Sequence, residues 1–95
     1  MKCYIWDTKK SEKLKAERDI SFEDVLYYIE RGNVLDIVEH PNQTKYQGQK
    51  IFVVAVKDYV YLVPFIEGEK EILLKSIIPS RKATKHYLRG GKRNG

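Results

Sequence analysis

The chain has 95 residues, 42% of them apolar and 33% charged, with a net charge of +5 and a pI near 9.3. That size suits one domain with a modest core, and the composition suits a soluble cytoplasmic protein; no apolar run is long enough to span a membrane, and no signal peptide opens the chain. Cys3 is the single cysteine, which excludes an intramolecular disulfide and a cysteine-built metal site.

The charge is uneven. From residue 75 onward stand seven cations, Lys75, Arg81, Lys82, Lys85, Arg89, Lys92 and Arg93, and no acid, so the preceding 74 residues carry 11 cations against 13 acids. A basic excess gathered in one segment favours a polyanionic partner, most simply nucleic acid.

In chain order, Lys2 to Trp6 reads as a short strand with Tyr4 and Trp6 on one side and Cys3 and Ile5 on the other. Asp7 or Thr8 caps a helix from Lys9 to Arg18 that is nearly all charge. Leu14 and Ala16 give it little to bury, so it is expected to be loosely held and free for a partner. Ser21 and Asp24 form a capping-box pattern before a second helix, Ile20 is placed to staple onto Val25, and Phe22, Val25, Leu26 and Ile29 make one apolar stripe. Gly32 ends that helix. Val25 and Ile29 are expected to be nearly fully buried against the sheet.

Val34 to Glu39 reads as a strand, and His40 to Lys50 as a polar loop. Ile51 to Val56 is apolar throughout, as a central strand covered on both faces is. Lys57 and Asp58 turn the chain into a return strand, Tyr59 to Ile66, in which Pro64 marks an edge or a bulge. A last strand, Glu71 to Ile78, ends at Pro79, and Ser80 caps a helix from Arg81 to Leu88. The order β-α-α-β-β-β-β-α predicts an α+β domain over residues 1–89 with an antiparallel sheet, two N-terminal helices and a C-terminal basic helix, followed by a mobile Gly-rich basic tail over 90–95.

The C-terminal helix is the main candidate site. Arg81 and Lys82 fall in its first turn, where the helix dipole disfavours cations but free amide N–H groups attract anions. Arg81, Lys85 and Arg89 share one face, while Ala83 and Tyr87 share another. A solvated charged helix is the alternative. His40 is either an acid/base group near neutral pH or a locally bonded loop histidine. Tyr46 is either a base-stacking ring or a loop anchor. His86 is expected to be exposed. Tyr59, Tyr61 and Phe65 share a strand face and read as core or half-core rather than as a stacking platform, and Trp6 reads as packing. No metal, Gly-loop or nucleophile motif is present, so no cofactor is expected.

Two stretches, Trp6-Asp7-Thr8-Lys9-Lys10 followed by Ile20-Ser21-Phe22-Glu23-Asp24, and Ile77-Ile78-Pro79-Ser80-Arg81-Lys82-Ala83-Thr84, resemble the BrnT family of bacterial toxins. Leu14 to Asp19 stands where that family has Asn-x-x-Lys-His-Gly, placing Arg18 at its histidine and Asp19 at its glycine. The resemblance implies a RelE-like fold and a toxin of a type II toxin-antitoxin system that cleaves RNA without metal. It implies a ribbon-helix-helix, CopG-like antitoxin as partner, with DNA reached only through the complex. In that setting Arg81 would hold the scissile phosphate, Lys82 and Lys85 would neutralise phosphate charge, and Lys75, Arg89 and Tyr46 would contact RNA. His40, Glu39 or Tyr46 would serve as base, and His40 is taken as the catalytic candidate. The alternative is a relative that binds RNA or the antitoxin without cleaving; a third reading is a small domain whose basic segment only aids solubility.

Overall fold

The computed structural model describes residues 2–89; the expected tail over 90–95 lies outside the described residues. Strand β1 (Cys3–Ile5) leads to Asp7, whose carboxylate accepts from the N–H groups of Lys9 and Lys10 at 2.9 and 3.3 Å and so starts α1 (Thr8–Arg18). Asp19, with φ 60°, turns the chain out of α1. Ser21 then caps α2 (Phe22–Glu30) by the full reciprocal box: its Oγ accepts from Asp24 N–H at 3.1 Å, and Asp24 Oδ2 accepts from Ser21 N–H at 2.9 Å. Gly32, at φ 84°, supplies the left-handed turn after α2. Then follow β2 (Val34–Glu39), β3 (Lys50–Val56), β4 (Tyr59–Glu67), β5 (Glu71–Leu74), β6 (Ile78–Pro79) and α3 (Arg81–Leu88).

The strands form one sheet in the order β1-β5-β4-β3-β2, with β6 also on β4. The sheet is mixed, not antiparallel throughout as expected: β1 runs parallel to β5, with Cys3 beside Glu71 and Ile5 beside Leu73. A strand joined to its sheet through two helices has no hairpin partner and is free to add in parallel at an open edge. The expected last strand is also broken, between Leu74 and Ile78. Pro64 faces that break from β4. Its carbonyl accepts from Lys75 N–H at 2.8 Å, and its missing N–H points to the same side. The proline therefore marks a break in the neighbouring strand, while β4 itself is central.

Register assigns the two faces of the sheet. Phe52, Val54, Val56, Val63, Phe65 and Leu74 lie on the side of α1 and α2 and form the main core with Phe22, Val25, Ile20 and Ile77. Phe52 stacks on Phe65 with centroids 3.9 Å apart, and Trp6 stacks on Phe22 at 6.0 Å. The first helix is not loosely held: Leu14 is 5% exposed and belongs to this core, and Ser11 is buried beside it. Two buried side chains on one face are enough to dock a helix whose other positions are all solvated. In α2, Val25 and Phe22 are fully buried, but Ile29 and Leu26 are half-buried, so the stripe meets the core chiefly at its N-terminal half, where Leu14 and Ile20 complete the packing.

On the opposite face, α3 is fixed at two points. The Thr84 hydroxyl, buried, accepts from Val60 N–H at 2.8 Å and donates to Ser80 O at 2.7 Å. Farther along, Tyr87 donates to Asp36 Oδ2 on β2 at 2.8 Å.

Candidate nucleic-acid interface

Ser80 is delivered to the start of α3 by β6 and a backbone bond to Val60 O at 3.0 Å, and its Oγ accepts from Ala83 N–H at 3.0 Å. Arg81 and Lys82 follow, both exposed. Thr84 faces the sheet, so Arg81, Lys85 and Arg89 run along one flank of α3 in steps of about 6 Å, while Ala83, His86 and Tyr87 form the other.

Arg89 ends that row at an open groove of about 650 Å³ between α1, α2 and the β3–β4 turn. Tyr27 and Tyr28 of α2 and Tyr59 and Tyr61 of β4 line it, with Lys15, Arg18, Lys57 and Arg89 around them. Tyr27 is 53% exposed, and the Arg31 guanidinium lies 4.8 Å from its ring centroid. Tyr59 and Tyr61 meet edge to face at 5.6 Å. Aromatic faces beside cations suit unpaired bases and their phosphates.

The cations of the groove differ in their ties. Lys15 pairs with Asp24 at 3.0 Å and Asp19 at 3.8 Å, and its bond to Asp24 holds the ammonium pKa above its ordinary value. Arg18 donates to the carbonyl of Ile77, which fixes the end of α1 against the break between β5 and β6. Among the described residues, Lys57 and Arg89 make no ion pair, and they are the cations open to a ligand. Asp19 and Lys57, at φ 60° and 59°, are the non-glycine residues with left-handed backbone among those described, and both line the groove. Such conformations cost energy for an L residue and concentrate at functional sites.

The remaining expected site residues fall into two further places. His40 and Tyr46 come together at the far end of β2, with ring centroids 4.2 Å apart, His40 Nδ1 accepting from Asn42 N–H at 3.1 Å and Lys45 Nζ 5.4 Å from the Tyr46 centroid. They are not beside Arg81. Ser80 bonds Val60 at one end of β4, while His40 bonds Gln49 just past the level of Phe65 at the other. At about 3.3 Å per residue that separates His40 from Arg81 by on the order of 20 Å. Glu39 lies at the His40 end as well. Lys75 is exposed at the break between β5 and β6. His86 is exposed, as expected, and one helical turn from Lys82. Among the described residues no group of three His, Cys, Asp or Glu side chains is placed to hold a metal ion.

Of the groove, sequence reasoning found Arg89 and missed the rest. Tyr61 packs half-buried on the core and Tyr59 is half-buried beside it, yet both also form a wall, and Phe65 alone of that trio is buried. The adjacent pair Tyr27-Tyr28 beside an apolar stripe was the available signal. Comparison with known protein families, with curated proteins and with solved structures found no match.

Proposed function

We propose that this protein is a toxin of the BrnT-like, RelE-like kind: a metal-independent ribonuclease that binds single-stranded RNA along the basic flank of α3 and in the tyrosine groove, and that a ribbon-helix-helix antitoxin restrains. The observation that carries the RNA reading is the meeting of Arg89, last of the row Arg81–Lys85–Arg89, with Tyr27, Tyr28, Tyr59 and Tyr61 in one groove. The left-handed backbone of Asp19, where the family pattern has glycine, supports the family reading.

In cleavage by a ribose 2′-hydroxyl, that oxygen attacks phosphorus, the bond to the 5′-oxygen breaks, and a proton passes from one oxygen to the other. Arg81 offers a two-pronged hold on the phosphate, and Lys82 and Lys85 counter the charge that builds on it. His86 stands on the other flank of α3 from Arg81 but one helical turn from Lys82, and His40 is at the far end of the sheet, which supports His86 over His40 for the proton transfer.

The distance of His40, Glu39 and Tyr46 from Arg81 favours a second reading, in which the protein binds RNA, or its antitoxin, without cutting. Titration of a labelled, unpaired RNA tests the shared part of both readings. Arg89→Ala and Tyr27→Ala should each weaken binding by about 1–3 kcal/mol for a stacked base or a charge-assisted phosphate contact. Unchanged affinity in both variants removes RNA from the groove.

A further inference from the structure

The helix layer on the α3 side of the sheet is incomplete. α3 covers only the end of that face near Val60, held there by Thr84. Beyond it, register puts Leu62, Ile66, Ile78, Val38 and Ile5 on the same face. Four of them are exposed apolar side chains: Ile5 at 37%, Val38 at 37%, Ile66 at 39% and Ile78 at 42%. Ala83 and Tyr87, on the flank of α3 away from Arg81 and Lys85, border Leu62 in a hollow of about 260 Å³, so helix and open sheet form one shallow trough. Between them Ile51, Val53 and Pro64 are buried, so the exposed side chains rim a covered centre, and apolar side chains exposed together on one sheet face beside a hollow mark a docking site.

We propose that this trough receives an amphipathic helix of a partner protein, with acidic residues flanking its apolar stripe. Charge selects the occupant. Lys82 and His86 line the α3 side of the trough, and Lys75 lies across it at the level of Pro64. Register places two acids on this face: Asp36, which is already bonded to Tyr87, and Glu71, which stands opposite Cys3 at the Ile5 edge, away from Lys82. A second copy of this chain would bring Lys75 and Lys82 against their own like charges across a two-fold interface. The six residues that follow Arg89, GGKRNG, contain no large apolar side chain to lay into it. A helix set parallel to α3 completes the layer, with its carboxylates toward Lys75 and Lys82.

The inference does not rest on RNA binding or cleavage. It is tested with a synthetic 18-residue helical peptide carrying one leucine stripe flanked by glutamates, against a twin with lysines in their place. The glutamate peptide should bind at least tenfold more tightly, and amide shifts should gather at Val38, Leu62, Ile66 and Ile78. Ile66→Lys and Val38→Lys, both at exposed positions, should weaken binding at least tenfold while RNA affinity stays unchanged. Equal affinity for the two peptides, or shifts gathered elsewhere, overturns the proposal. So does a dimer in light scattering that Ile66→Lys converts to monomer, since the face then belongs to a second copy.

Discussion

The Ser11 hydroxyl, in the middle of the first helix, accepts a 2.9 Å hydrogen bond from the backbone N–H of Phe22, the first residue of the second helix. It also donates to Glu23 Oε1 at 2.9 Å. The first turn of any helix has N–H groups without partners, and here one helix supplies the missing acceptor for the next. This bond, together with Leu14 in the core, makes the charged first helix a structural element. Ser11→Ala leaves the buried Phe22 N–H unpaired and should cost about 1–3 kcal/mol. Leu14→Ala should cost about 2–5 kcal/mol, more than the same change at half-buried Leu26. Chemical denaturation of the three variants gives the ranking; a larger loss at Leu26 would return the first helix to the surface.

The same junction sets an acid limb of stability. Glu23 is held below the ordinary carboxylate pKa first by its own backbone N–H and then by Ser11. For Asp24, burial pushes the carboxyl up, but Ser21 N–H and Lys15 outweigh it and the net direction is down. A carboxylate whose folded pKa lies below its unfolded value adds stability that is complete above the unfolded pKa and disappears as pH falls through the folded one. Wild type should therefore exceed Glu23→Gln in Tm near pH 7, and the gap should close below about pH 4 as the carboxylate protonates. A gap that persists at pH 2.5 would assign the difference to something other than the charge.

How much of this was legible in the sequence depends on what each element answers to. The capping box at Ser21–Asp24 and the cap at Ser80 are local chemistry, and both stand where the residues put them. The stripe Phe22–Ile29 was legible as a stripe, but not how far along it the core reaches, because Leu14 arrives from another helix. The parallel partner of β1 was not legible, since nothing in Cys3–Ile5 names β5. Nor was the groove. Its tyrosines come from α2 and β4, its cations from α1, the β3–β4 turn and the end of α3, and only the fold joins them.

The left-handed backbone at Lys57 gives a stability–function contrast. Glycine carries no penalty at φ 59°, so Lys57→Gly should stabilise the fold by about 0.5–1 kcal/mol. The same change removes a cation from the groove and should weaken RNA binding. Denaturation and RNA titration on one variant read the two effects separately. A variant that gains stability and loses no RNA affinity would leave Lys57 outside the RNA surface.

Salt dependence maps the phosphate contacts. Each contact to single-stranded nucleic acid adds about 0.7 to the slope of log affinity against log salt, so replacing Lys85 and Arg89 together by Ala should lower the slope by about 1.4. A slope equal to that of wild type would move the RNA path off this flank of α3.

The proposed ribonuclease activity is measured directly by incubating purified protein with an unpaired RNA in excess EDTA across pH 5 to 9. Cleavage should leave a 2′,3′-cyclic phosphate, fail at a site lacking the 2′-hydroxyl, and fall by about 10² or more in Arg81→Ala, as loss of one charge-stabilising donor does. RNA that is bound in the groove yet stays intact at every pH would contradict the ribonuclease and leave the binding protein.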